Sequence, residues 1–349
     1  MKYEAPTTDD RRIWELFLSH THVTSIIAGD DSGIYAALEE KPDTIDGVAR
    51  RMDFDVRATG VLLRQLASLG ILNIRNGAFQ LSDLTRQYLL KSSTYYWGNM
   101  MRIGANAQNL QRLLGRLREK DTASSGGPEG TTSESQQGRP AEGWASGKVS
   151  IEQARGVAAS MHSHSMPAAI GAARNYDMKA VKKILDVGGG SGCFMIAMAQ
   201  ANPHLKCTIM ELDTMCEVAT SYIKAGGVGA QVDTVAVDMF REAWPKGYDA
   251  MFFSNVFHDW NFKTCEWLAK KCYDALEPGG RIMLHETLID DDGAGPPVAT
   301  GFSMLMLMGT QGQQFTFSEL KGILERAGFR DVEAKHTAGY YSITTGYKR

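Results

Sequence analysis

The sequence is short of cysteine, of net charge and of long apolar runs, and each shortage excludes something. Five cysteines, at positions 193, 207, 216, 265 and 272, are odd in number and form no CxxC pair. A disulfide framework or a structural zinc site is therefore not expected, and no metal is assigned. No apolar stretch reaches the roughly 18 residues that a membrane-spanning helix needs. The first residues, MKYEAPTTDDRRIWELF, are polar and acidic and contain no apolar leader core, so a cytoplasmic protein is expected. With 37 Lys and Arg against 40 Asp and Glu, the net charge of −3 gives neither nucleic acid nor an anionic membrane a reason to bind.

What remains is an ordinary globular composition, 43% hydrophobic and 22% charged, in 349 residues. That length accommodates about two domains. Residues 1–118 read as mostly helical: TIDGVARRM begins on a capping Thr44, and VRATGVLLRQLASLG repeats apolar residues at helical spacing up to Gly70. Two short alternating runs then flank Asn76-Gly77, a strong hairpin signal. Three helices and a hairpin make a winged helix. The last of those helices carries only Arg57 and Arg64 among Leu, Val and Ala, which opposes a DNA-reading role and favours packing on protein. A helical dimerisation domain is the expectation, and hence a homodimer.

Residues 119–150 are rich in Gly, Ser, Thr, Pro and Gln and read as a flexible loop or linker, with Trp144 as its one large apolar anchor. Residues 151–349 change to alternating strand and helix patterns, which imply an α/β fold with a Rossmann-like, doubly wound parallel sheet. Within it, ILDVGGGSG (184–192) is a strand that runs into a glycine-rich turn at the start of a helix. Gly188 and Gly190 would let the backbone approach a ligand closely. Glu211 follows Gly192 by 19 residues, about the distance at which a carboxylate meets ribose hydroxyls. Asp186, at the end of the strand, would repel a pyrophosphate and suit a cation, which favours S-adenosylmethionine (SAM) over NAD.

LDVGGGSG, Glu211-Leu212, Asp238-Met239-Phe240, His258-Asp259-Trp260 and Ala327-Gly328-Phe329 occur in that order. The chain thereby resembles the SAM-dependent methyltransferases of the plant-type and hydroxyindole O-methyltransferase family, over essentially its whole length. The resemblance implies a winged-helix dimerisation domain before the SAM-binding domain. It also implies a cofactor site in which Gly188 and Gly190 face the methionine part of SAM and Glu211, with Leu212 beside it, holds the ribose. Asp238 would bind the adenine amino group, Met239 and Phe240 would flank the ring, and Ser254 would be a polar neighbour. Without the motif order, a plain strand-end cap is an equal reading of Asp238.

The same resemblance makes His258 a general base oriented by Glu286. It also exposes departures: Gln314 stands where the family has a second flanking acid, Phe315 where it has arginine, and Gly301 where it has Asp. A neutral amide stabilises an imidazolium less well than a carboxylate does. A thioether acceptor would need no base. The Tyr-Trp pair in STYYWGNM (93–100), MHSHSMPAA (161–169) and GTQGQQFTF (309–317) resemble the bacterial branch that S-methylates 4-methylthio-2-hydroxybutyrate on the way to dimethylsulfoniopropionate. S-methylation of that acid is accordingly the first expectation, O-methylation of a small hydroxyl compound the second, and a non-enzymatic SAM-binding regulator a third. Acceptor contacts are expected from Tyr96, Trp144, Met161, His162, His164, Met304, Met308 and Gln314. The bland alternative for each is a packing residue.

Overall fold

A computed structural model describes residues 4–104, 106–119 and 149–349. Trp144 and almost all of the expected linker lie outside the described residues. The chain forms two compact units, one from residues 11–124 and 288–316, the other from residues 1–10, 125–287 and 317–349. The chain thus crosses between units more than once, where a single change near residue 150 was expected.

The helical unit contains helices Ile34–Glu40, Ile45–Met52 and Val56–Ser68, followed by strands β1 (Leu72–Arg75) and β2 (Ala78–Leu81). Thr44 caps the second helix by accepting from the Gly47 N–H at 3.1 Å. Asn76 and Gly77 both have positive φ, 50° and 75°, the pair of left-handed residues that a two-residue hairpin turn requires. The Val56–Ser68 helix buries Val61, Leu62, Leu63 and Leu66 in the unit's core. It has no free polar face to offer a groove. The Pro297–Gly309 helix belongs to the same unit, and its Met304 and Leu307 join this core.

The second unit is built on a seven-stranded sheet in the order β5-β4-β3-β6-β7-β9-β8. The strands are β3 (Lys183–Val187), β4 (Lys206–Glu211), β5 (Val232–Ala236), β6 (Ala250–Ser254), β7 (Arg281–Thr287), β8 (Arg330–Ala338) and β9 (Tyr341–Tyr347). The first five are parallel, and the strand order reverses between β3 and β6, where an open α/β sheet forms its ligand crevice. β9 runs antiparallel between β7 and β8, so the sheet is mixed at that edge. Helices cover both faces, which is why β6 reads as an unbroken apolar run, with Ala250, Met251, Phe252 and Phe253 fully buried. The Cys193–Ala201 helix starts directly on Gly192 (φ 76°), and a Cβ there would come within 2.3 Å of Ile209 on β4. All five cysteines are buried free thiols.

Candidate active site

β6 ends at Ser254, three residues before the buried apolar stretch ends at Phe257. Asn255 takes φ 55° and turns the chain out of the strand, and Phe257–Asp259 form a single 3-10 turn. His258 therefore sits on a turn and not at a strand end.

At the carboxyl ends of β3, β4 and β6 lies a cavity of about 290 Å³. All nine residues expected at the cofactor line it: Asp186, Gly188, Gly190, Glu211, Leu212, Asp238, Met239, Phe240 and Ser254. Gly188 (φ 70°) leaves only 3.2 Å between a Cβ and Val256, so a side chain there would be both strained and crowded. Glu211 is held by two backbone donors, Gly190 N–H at 3.2 Å and Leu212 N–H at 2.9 Å. Burial raises its pKa, and those two bonds pull it back only in part. Asp238 bonds to the N–H groups of Phe240 (2.9 Å) and Arg241 (3.2 Å) and to the Arg241 guanidinium. These bonds outweigh its burial and hold its pKa below the usual value. The capping role and the cavity-lining position thus belong to one side chain.

Asp186 is 1% exposed, and neither carboxylate oxygen has a partner among the described residues. Burial, and then the charge of Glu211, push its pKa well up. An orphaned buried carboxylate beside a second acid calls for a cation. SAM, with a sulfonium and an ammonium and no phosphate, fits this donor set; a dinucleotide does not.

The second constellation is His258 with Glu286. His258 Nδ1 lies 2.9 Å from Glu286 Oε2, and the backbone N–H of His258 donates to Oε1 at 3.4 Å. Both side chains are nearly inaccessible, at 4% and 1% exposure. Burial alone would lower the imidazole pKa. The Glu286 charge and hydrogen bond, and then Asp259, more than offset it, so the pKa is raised above 6.5. A proton on Nδ1, the ring nitrogen that faces Glu286, would leave a lone pair on Nε2.

Of the expected acceptor contacts, Met161 lines the same cavity. His162 bonds to Ser191 Oγ at 2.9 Å and stacks on Tyr222, and His164 lies 3.3 Å from the Met161 sulfur. Tyr96, Met304, Met308 and Gln314 belong to the helical unit. There Tyr96 bonds to Asp30 and to Arg102 (2.7 Å), Met304 is core and Met308 packs against that core. Gln314 is fully buried, and its backbone N–H donates to Ser303 Oγ at 3.1 Å. Gly301 is closely packed, since a Cβ would meet Leu18 at 3.2 Å. A side chain there would require Leu18 to give by a few tenths of an ångström.

A family model described as an O-methyltransferase domain matches residues 124–330. The chain belongs to the O-methyltransferase family. It is a SAM-dependent methyltransferase. Over 330 residues this methyltransferase is 29% identical to 3-hydroxy-5-methyl-1-naphthoate 3-O-methyltransferase of Streptomyces sahachiroi, covering 93% of its own length and 91% of the relative's. It is 31% identical to acetylserotonin O-methyltransferase of Bos taurus over half of each chain. An O-methyltransferase family 2 protein from Planctomyces limnophilus, solved with apigenin, shares the fold at TM-score 0.84 and 24% identity over the full length of both chains.

Sequence reasoning left Asn255, Val256 and Trp260 out of the methyltransferase's site, although all three line the cavity. Trp260 could have been found, because it is the third residue of the His-Asp-Trp motif. Asn255 carried no signal, since its place depends on a backbone turn.

Proposed function

We propose that this methyltransferase O-methylates a small aromatic hydroxyl compound, with His258 as general base. The observation that carries the reading is the buried His258–Glu286 pair at 2.9 Å. A phenol, with pKa near 10, needs its proton removed as the new bond forms. A thioether has no proton to lose, and a raised imidazole pKa would serve nothing there. The relatives support the same choice, because the enzymes named above act on a hydroxynaphthoate and on acetylserotonin.

Bound SAM supplies an electrophilic methyl group that leaves S-adenosylhomocysteine behind. The chain's part is to hold and align it, since methyl transfer depends heavily on in-line positioning. Asp186 would face the cationic methionine part, Glu211 would take the ribose hydroxyls, and Asp238 and Met239 would frame the adenine. Glu286 orients the imidazole, His258 Nε2 takes the acceptor's proton, and Glu286 then faces the resulting imidazolium. S-methylation of 4-methylthio-2-hydroxybutyrate keeps one argument, the neutral Gln314 in place of an acid. The test is incubation with SAM and, separately, naphthol-type phenols, N-acetylserotonin and the thioether acid. Methylated phenol is the expected product; turnover of the thioether alone would overturn the proposal.

We also propose that the helical unit dimerises with a second copy. Ile13, Leu16 and Phe17 on the Arg11–Leu18 helix are 69%, 54% and 54% exposed, an apolar face that a partner would cover.

A further inference from the structure

His285 has no part in the chemistry above, yet it is fully buried beside the cofactor cavity. It lies on β7 and pairs in register with Ser254, the last residue of β6. Its Nδ1 is 3.0 Å from Ser254 Oγ. Its backbone carbonyl accepts the Asn255 N–H at 3.2 Å. The imidazole is packed between aromatic rings: parallel to Tyr341 of β9 at 4.6 Å and 6°, and tilted against Phe194 at 4.7 Å. Nε2 has no hydrogen-bond partner among the described residues. The Tyr341 hydroxyl in turn bonds to the side chain of Asn255. Ser254 and Asn255, both lining the cavity, are thus each held from behind by one ring of a stacked pair.

We propose that the His285–Tyr341 stack is a positioning device for the cofactor, which fixes the direction in which Ser254 donates its hydroxyl hydrogen. Burial pushes the His285 pKa down to about 3, so the ring is neutral and carries a single N–H. A buried N–H without a partner costs more than a bare ring nitrogen acceptor. The hydrogen therefore sits on Nδ1 and is donated to Ser254 Oγ. Ser254 then accepts from the ring with one lone pair, and its own O–H, not spent on the imidazole, turns into the cavity toward an oxygen or nitrogen acceptor of the bound cofactor. With the opposite tautomer, Ser254 would spend its hydrogen on the ring and offer the cofactor only lone pairs. Tyr341 keeps the imidazole in plane and anchors Asn255 at its strained positive φ.

The inference rests on the reading of the cavity as the SAM site. The experiment measures S-adenosylhomocysteine binding by calorimetry for the full chain and for His285→Phe, Ser254→Ala and the double variant. A second arm is a long-range 1H–15N spectrum of the wild-type imidazoles. His285→Phe keeps the stack and removes the donor. It is expected to weaken binding about tenfold, the scale of one hydrogen bond to a ligand. Ser254→Ala should cost the same, and the double variant no more than either. The His285 ring should show the Nδ1–H tautomer throughout the neutral pH range, and His285→Asn, which restores a donor near the Nδ1 position, should recover part of the affinity. Unchanged affinity in a folded His285→Phe, additive losses in the double variant, or an Nε2–H tautomer would each overturn the inference. A wild-type protein that does not bind S-adenosylhomocysteine would instead overturn the reading of the cavity.

Discussion

At the scale of the residue, His258 and Asp186 show burial acting in opposite directions on function. For His258 the folded pKa is raised, so protonation of the base sets in above pH 6.5. Activity, read as kcat/KM, should therefore fall on the acidic side along a limb whose apparent pKa lies above 6.5. Glu286→Gln removes the main support for the cation, and burial then prevails. The limb should move to lower pH while kcat drops by about 10²–10⁴, the usual worth of general base catalysis. The same shift makes a stability statement. The His258 contribution is complete below pH 6.5 and disappears as pH rises through the folded value, so urea midpoints of wild type and Glu286→Gln should converge on the alkaline side. Asp186 is the reverse case, a carboxylate whose raised pKa makes its charge a burden in the free protein. Relative to wild type, Asp186→Asn should gain stability in the unliganded chain as pH rises and the buried carboxylate has to ionise, read from urea midpoints. It should also weaken SAM more than S-adenosylhomocysteine, which lacks the sulfonium charge. Equal losses for the two ligands would remove Asp186 from the cationic end.

At the scale of the element, the glycine turn shows how little space the site leaves. Gly192→Ala must place a Cβ 2.3 Å from Ile209 at φ 76°. A loss of about 2–4 kcal/mol in unfolding free energy is expected from strain and overpacking together. A chemical denaturation curve checks it. The five parallel strands, the Thr44 cap and the Asn76-Gly77 hairpin were legible because local chemistry alone determines them. β8 and β9 were not. β8 is an edge strand whose Arg330, Asp331, Ala334, Lys335 and His336 all face solvent, so no alternating pattern marks it. The end of β6 is not legible in the sequence, because apolar packing continues through Val256 and Phe257 after the backbone has already turned at Asn255.

At the scale of the whole molecule, the nine residues that line the cavity together could be named in advance because short motifs carry them, each close to a strand end. Acceptor contacts follow no such rule, since they come from side chains distant in sequence. Tyr96 illustrates the difficulty: its phenol is engaged by Asp30 and Arg102, partners 66 and 6 residues away. Gly301 and Gln314 could be recognised as departures, but the close approach of Leu18 to the first is visible only in the fold. S-adenosylhomocysteine at about 100 times its Kd should add roughly 2.7 kcal/mol to the stability, visible as a rise in Tm. A single-species mass of two chains in light scattering, reduced to one by Phe17→Asp, would accord with dimerisation through the Arg11–Leu18 helix.

The five buried thiols give the enzyme a built-in reporter. Burial raises the pKa of Cys216 to about 11 and of Cys193 to about 12, and raises Cys207, Cys265 and Cys272 as well. Very little thiolate is present at neutral pH, so alkylating reagents must wait for the chain to open. The native protein should tolerate air without added reductant, and the labelling rate at each cysteine should time the opening of its own segment. Because Cys193 borders the cofactor cavity, its labelling should slow the most when S-adenosylhomocysteine is bound.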